Sequence, residues 1–410
     1  LSLASPVKVI IMKTAVSSAL LLALPVLAIP PPSQFAERAD NCTALPANYA
    51  LTPASSKLPD IFTFADGTKV TTKDQWSCRK QEIIQLFYRQ ELGDKPGKPD
   101  SVTGTVSATS ISVTAKVGSK SISFSATVKM PSGATGPVPA IIAYGGASLP
   151  IPAGVATITF NNDNVAKQDN TASRGKGLFY DLYGSSHNAG AVTAWAWGVS
   201  RIIDVIEADT TKKIDVTKIG VTGCSRNGKG AFFAGAFDDR VALTLPQESG
   251  SGGAACWRIS DLEEAAGKKI QTAHEIVGEN AWYSKLFDAY ATKTSTMAID
   301  HHMLPALVAP RGLLVIENNI DWLGPVATTG CMRVGALAYQ ALGAADSFGF
   351  SETAPHSHCS FPSSQQPELT AFINRFLKGD ATAKTAGVDK SDQTNVKAST
   401  YITWTAPTLT

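Results

Sequence analysis

Ser225 lies in the stretch GVTGCSRNGKG, residues 220–230, with a glycine two positions before it and another three after. The apolar run KIGVTG leads in and KGAFFAGAF leads out, the pattern of a strand, a sharp turn and a helix. A serine on such a turn stands at the carboxyl edge of a sheet, with the N–H groups of the helix N-terminus aimed at the same spot. That is the setting of a nucleophile for acyl transfer, although glycine-rich turns also serve non-catalytic crossovers. The common motif is G-x-S-x-G; here Asn227 takes the last position and glycine follows at Gly228. Asparagine tolerates the backbone angles a sharp turn needs, so the departure leaves the turn feasible.

A hydroxyl becomes a nucleophile with the help of a base, and a histidine oriented by a buried carboxylate is the usual partner. The chain has six histidines. His187 precedes a helical stretch, His274 lies within one, and His301 and His302 adjoin MLPAL, where capping or core contacts are expected. His356 and His358 sit in APHSHCSFP, between the strand-like SFGF and the last strongly helical stretch. An α/β-hydrolase carries its histidine in that loop, in the chain order serine, acid, histidine. His358 is favoured over His356, because Cys224 directly precedes Ser225 and Cys359 directly follows His358. A serine and a histidine about 3 Å apart bring those neighbours within the Cα separation of a disulfide, which predicts a Cys224–Cys359 bridge. Spacing leaves the acid open: Glu248 ends VALTLPQES, after the nucleophile helix, whereas Glu317 and Asp321 follow the next strand in LLVIENNIDW. Arg226 offers its backbone N–H to a developing oxyanion and its guanidinium as extra positive charge. Lys229, four residues after Ser225, shares its helical face and is placed to reach polar groups of a substrate.

These residues need elements to hold them. Residues 102–130, VTGTVSATSISVTAKVGSKSISFSATVKM, alternate β-branched and polar residues around Gly118, as antiparallel strands joined by a turn do. Beyond them the short apolar runs PAIIAYG, VATITF, KIGVTG, ALTLP and GLLVIE alternate with helix-like stretches such as VTAWAWGVSRIIDVIEA and PELTAFINRFLKG. Strands without polar alternation, separated by amphipathic helices, predict an α/β fold with a mainly parallel central sheet and helices on both faces. The expected division is residues 1–28 upstream residues and leader, 29–100 an N-terminal segment wrapped on the catalytic domain, 101–380 the core, and 381–410 a polar tail forming an edge strand or a loose end.

The chain has 410 residues, of which 44% are hydrophobic and 17% charged, with a formal net charge of +2, so it can bury a large core and carries no strong charge bias. No basic run longer than TKK or GKK occurs, which argues against nucleic acid as a partner. From Met12, MKTAVSSALLLALPVLA has the lysine, short apolar core and small-residue end of a secretory signal peptide. That run is too short to span a bilayer and no longer one follows, so no membrane association is expected. Export makes the six cysteines candidates for three disulfides, and without a C-x-x-C pair no metal is expected. The one N-x-S/T sequon, at Asn41, is a possible glycosylation point.

Together GCSRNGKG, LPQESGSGG, HSHCSFP and the cysteine placement resemble the fungal glucuronoyl esterases of carbohydrate esterase family 15. The resemblance implies a secreted α/β-hydrolase, working as a monomer without cofactor. Its substrates would be esters between 4-O-methyl-glucuronic acid on xylan and lignin alcohols, and small glucuronate esters. It implies Ser225 as nucleophile, His358 as base and Glu248 as acid. Some relatives place the acid after the later strand, which keeps Glu317 and Asp321 as substitutes. Arg226 matches the oxyanion arginine, and Lys229, Gln271, Glu279 and Trp322 match positions that hold the sugar. The implied disulfides are Cys42–Cys78, Cys224–Cys359 and Cys256–Cys331. The rival expectations are an acetyl-xylan or feruloyl esterase using the same triad, and a hydrolase-like wall-binding protein without turnover.

Overall fold

A computed structural model describes residues 1, 42–43, 45–46, 49, 52–353 and 355–410. Apart from Leu1, the expected leader lies outside the described residues, as does the Asn41 sequon.

Ten strands form one sheet in the order β1-β2-β3-β5-β4-β6-β7-β8-β9-β10. The first three, β1 (Ser101–Val106), β2 (Ser110–Val117) and β3 (Lys120–Lys129), pair antiparallel, and β2 turns into β3 at Gly118. The next strands are β4 (Val138–Tyr144), β5 (Ala156–Phe160), β6 (Ile214–Cys224), β7 (Val241–Gln247), β8 (Gly312–Asn318), β9 (Phe348–Thr353) and β10 (Asp389–Lys390). β5 joins the antiparallel β3, and every pair from β5–β4 to β9–β10 is parallel. Parallel strands covered on both faces carry apolar residues at consecutive positions. Accordingly Leu313 and Val315 of β8 enter one buried cluster while Leu314 and Ile316 enter the other.

The helices divide between those two layers. They are α1 (Lys73–Phe87), the short α2 (Asn162–Val165) and α3 (Leu178–Tyr183), α4 (Ala191–Ala208), α5 (Arg226–Phe237), α6 (Trp257–Ala265), α7 (Ala273–Glu279), α8 (Met303–Val308), α9 (Pro325–Ala341), α10 (Gln366–Phe376) and α11 (Ala398–Tyr401). The larger layer buries Trp195 and Trp197 of α4, a helix buried at every position from Ala191 to Ile206, where Arg201 and Asp204 pair with each other. On the opposite face α10 inserts Leu369, Phe372 and Ile373 against Leu243, Leu245 and Leu314. Their i, i+3, i+4 spacing forms one apolar stripe, and burial of each such side chain contributes about 1.5–3 kcal/mol.

α5 approaches the sheet closely because its contact face lacks side chains. A Cβ on Gly228 would stand 2.5 Å from the Gln247 carbonyl oxygen, and one on Gly235 would collide with Thr244. Seven residues apart, these glycines share one helix face, and both rest on β7.

The C-terminal tail meets residues 58–73. Leu58 N–H donates to Tyr401 O (2.8 Å), Trp404 Nε1 donates to Leu58 O (3.0 Å), and Lys73 N–H donates to Thr410 O (3.1 Å). Leu409 is buried, and Cys42 is bonded to Cys78 in α1. The polar tail therefore contributes both a short edge strand, β10, and a strap to α1. No helix among the described residues is long and apolar enough to cross a membrane.

Candidate active site

Ser225 sits alone between β6 and α5, with φ 59° and ψ −128°. Its N–H donates to Gln247 O (3.0 Å) and its carbonyl accepts from Lys229 N–H (3.0 Å), which fixes the elbow between the strand end and the first helical turn. Asn227 has its own task there. Its Nδ2 donates to Tyr144 O at the end of β4 (3.2 Å) and its Oδ1 accepts from Asn162 Nδ2 (3.0 Å). Arg226 begins α5 with an exposed side chain.

Four non-glycine residues among those described have positive φ: Lys212, Ser225, Glu248 and Cys359. Three of them surround this elbow. Such backbone costs about 1–3 kcal/mol per residue and persists where surrounding contacts over-determine it.

Glu248 follows β7 at φ 45° and is fully buried. Its Oε2 accepts from His358 Nδ1 (2.8 Å), from Cys359 N–H (2.8 Å) and from Asn318 Nδ2 (3.2 Å), and its Oε1 accepts from Gln247 Nε2 (3.0 Å). Burial alone raises the carboxyl; the bonds from His358, Cys359, Asn318 and Gln247 outweigh it and hold the group below its ordinary value. With a carboxylate on Nδ1, the His358 proton belongs there and Nε2 is left as the acceptor. The Trp322 ring meets His358 edge to face at 4.8 Å between centroids. Cys224 and Cys359 are bonded, with Cα atoms 5.7 Å apart, so the residue before Ser225 is tied to the residue after His358.

His356 stands further off, its Nδ1 4.0 Å from Glu248 Oε1, and Asn318 clasps its backbone at both N–H (3.3 Å) and carbonyl (2.9 Å). Glu317 is buried in β8 and faces the turn after Glu248, accepting from Ser249 N–H (2.9 Å) and Ser249 Oγ (3.0 Å). Asp321 is exposed in a short 3₁₀ turn, Asp321–Leu323. Of the three candidate acids, the geometry pairs Glu248 with a histidine.

Lys229 is buried, with Nζ donating to Ser249 O (2.6 Å) and lying 5.1 Å from the centre of the Trp282 ring. Burial brings its ammonium down to about 8, helped by the Arg226 charge and opposed by Glu317. Trp282 is itself fixed through Nε1 to Gln168 Oε1 (2.7 Å). Gln271 N–H donates to Trp322 O (3.3 Å), and Trp322 is 42% exposed, an open aromatic face beside the histidine. Glu279 ends α7 with an exposed side chain, three residues before Trp282. Hydrogen bonds and ring contacts thus link Gln271, Trp322 and His358 in one set and Lys229 and Trp282 in another, while Glu279 joins neither set directly.

Gln247, Asn318 and Trp282 escaped the sequence reading. The first two are polar residues at the carboxyl ends of apolar strands, a signal present in PQES and IENN; nothing local marks Trp282. Cys224, His358 and Cys359 are the one cluster of metal-ligating types among the described residues, but its sulfurs are joined to each other and offer no thiolate. The remaining bridge, Cys256–Cys331, ties α6 to α9.

A serine elbow tied by a disulfide to the loop of a histidine that holds a buried carboxylate, at the carboxyl edge of a parallel sheet sandwiched by helices, defines an α/β-hydrolase. A family model described as glucuronyl esterase, fungi, matches residues 113–343. The 4-O-methyl-glucuronoyl methylesterase of Hypocrea jecorina is 55% identical over 369 residues, covering 90% of this chain and 79% of that one. That of Neurospora crassa is 55% identical over 380 residues, covering 92% and 95%. The glucuronoyl esterase catalytic domain from Hypocrea jecorina superposes with a TM-score of 0.85 at 55% identity, over 89% of this chain and all of that one. A glucuronoyl esterase mutant from Sporotrichum thermophile, in complex with methyl 4-O-methyl-β-D-glucopyranuronate, gives a TM-score of 0.87 at 55% identity, over 90% of this chain and 100% of that one. The chain belongs to the fungal glucuronoyl esterase family and is a carboxylic ester hydrolase.

Proposed function

We propose that this chain is a secreted, monomeric esterase that cleaves the bond between 4-O-methyl-glucuronic acid on glucuronoxylan and lignin alcohols, through an acyl-enzyme on Ser225. The observation that carries the reading is the chain of contacts from Glu248 to His358 Nδ1 at 2.8 Å, and from Cys359 through the disulfide to Cys224 beside the serine. His358 Nε2 takes the hydroxyl proton as Ser225 Oγ attacks the uronate carbonyl. The Arg226 N–H, at the start of α5, and its guanidinium stabilise the oxyanion. The alcohol leaves with the proton from His358; water then enters, gives a proton to His358 and bonds to the acyl carbon, and His358 returns that proton to Ser225 Oγ as the bond to the serine breaks and the uronic acid leaves. Glu248 stays ionised and stabilises the imidazolium. No step calls for a metal or organic cofactor.

The sugar lies across Trp322, whose ring offers an apolar face, with Lys229, Gln271 and Glu279 supplying donors and acceptors for its hydroxyls. Residues 101–380 form the catalytic core, with the described residues between 42 and 100 wrapped against it and 381–410 as the tail. The test is alcohol release from benzyl glucuronate by the protein and by Ser225→Ala, with an acetate ester as control. The expected result is glucuronate cleavage that falls about 10⁴-fold or more in the variant, with little acetate hydrolysis. Cleavage of acetate with glucuronate ignored would instead make this a general carbohydrate or phenolic esterase; retention of both activities by Ser225→Ala would remove the nucleophile assignment.

A further inference from the structure

Glu317 is the penultimate residue of β8 and has no exposed surface. Its Oε1 accepts three hydrogen bonds, from Ser249 N–H (2.9 Å), Ser249 Oγ (3.0 Å) and Gly250 N–H (3.3 Å). Its Oε2 is buried and has no partner among the described residues. The turn held in this way starts at Glu248, whose φ of 45° needs its neighbours to fix it. The same turn presents the Ser249 carbonyl that accepts from Lys229 Nζ at 2.6 Å. One buried carboxyl therefore grips a segment with the acid of the triad at one end and the anchor of a sugar-site lysine in its middle.

We infer that Glu317 is a positioning residue that couples these two sites, fixing through the Ser249–Gly250 turn both the Glu248 carboxylate that orients His358 and the carbonyl that holds Lys229. The inference rests on the roles given to Glu248 and Lys229 above. Burial favours the neutral form of Glu317, and the ammonium of Lys229 is the charge that works toward ionising it. Burial, with the Glu248 charge adding to it, pushes its carboxyl up to about 8 against the bonds from Ser249 and Gly250. An ionised oxygen left without a donor in this interior is far costlier than a neutral hydroxyl in the same place. The charge of Glu248 beside it works in the same direction.

Glutamine reproduces that neutral state. Its carbonyl oxygen accepts the same three bonds and its amide replaces the hydroxyl, whereas alanine leaves the Ser249 and Gly250 N–H groups buried and unpaired. Kinetics on benzyl glucuronate test this with five variants of the full chain. Glu317→Ala is expected to lose about tenfold or more in kcat and to raise KM about tenfold, since both ends of the turn loosen. Glu317→Gln is expected to restore kcat and KM to within about threefold of the parent protein. Glu248→Gln should lower kcat with little change in KM, and Lys229→Met should chiefly raise KM. If Glu317→Ala does not fold, Glu317→Met keeps the volume without the oxygen and takes its place. Parent-like kcat and KM in both apolar variants, beside an inactive Glu248→Gln, would sink the inference alone. A Glu317→Gln as inactive as Glu248→Gln would also overturn it, by making Glu317 an ionised acid, and that readout stands even if neither apolar variant folds. Full activity in Glu248→Gln would remove the acid assignment and the inference together.

Discussion

Four donors converge on the Glu248 carboxylate, and one of them is the imidazole it orients. Replacing the carboxylate by an amide keeps the shape but puts a donor where His358 needs an acceptor, and the wrong tautomer of the base follows. Glu248→Gln is therefore expected to lower kcat about 10³–10⁴-fold, while Asp321→Asn, at an exposed position outside this network, leaves the rate within about twofold. Parallel turnover assays on a glucuronate ester read both. Ser225 and His358 were legible in the sequence because each sits beside a cysteine and in a loop whose place in the chain order is fixed. The acid was not, for a physical reason: β7 and β8 are neighbours, Glu248 just follows one and Glu317 lies near the end of the other, and strand spacing does not say which carboxyl turns toward the histidine. In the fold Glu248 makes the 2.8 Å contact to His358, while Glu317 makes three bonds to the Ser249–Gly250 turn.

Among the elements, the seat of α5 on β7 does most to set the nucleophile. The glycines of RNGKGAFFAGAF weaken an isolated helix by about 0.5–1 kcal/mol each, yet Gly228 and Gly235 allow the close approach that places Ser225 over the strand ends. Gly228→Ala should destabilise the fold by about 1–3 kcal/mol through overpacking against the Gln247 carbonyl, and should lower kcat because Glu248 is the next residue. Thermal unfolding and kinetics on one preparation check both effects. The parallel strands were legible as unbroken apolar runs, and the hairpin at Gly118 as alternation around a turn residue. The partition of α4 and α10 between the two layers was not, since a helix stripe reveals that a face is buried but not which side of the sheet receives it. Asn227 shows the same limit: its identity suggested tolerance of a turn, whereas its bonds to Tyr144 and Asn162 tie three elements together.

Across the whole molecule, several buried acids resist ionisation, and this sets how stability follows pH. Burial raises Glu317 to about 8 and Glu352 to about 7, both from an ordinary 4.5. His301 is raised as well: burial lowers it, but the charge and hydrogen bond of Glu91 prevail. A raised folded-state value means stability that is full below the unfolded value and lost as pH climbs through the folded one. These groups draw stability down between about pH 5 and 8, while His302, lowered by burial to about 4, works the other way up to about 6.5; Glu317→Gln should flatten the decline by on the order of a few kcal/mol, and denaturant unfolding at several pH values measures it. The sequence announced an oxidised, multiply bridged protein, but not these buried acids, because a glutamate in a strand-end motif reads the same whether it meets water or a turn. The bridges differ in their reach to solvent: Cys256 and Cys331 are fully buried, whereas Cys224 and Cys359, beside His358, are partly open, as are Cys42 and Cys78. Partly exposed disulfides are the ones a thiol attacks first. Graded treatment with a reductant should therefore lower turnover while the buried Cys256–Cys331 bridge survives, which makes catalysis a reporter of the redox state of its surroundings.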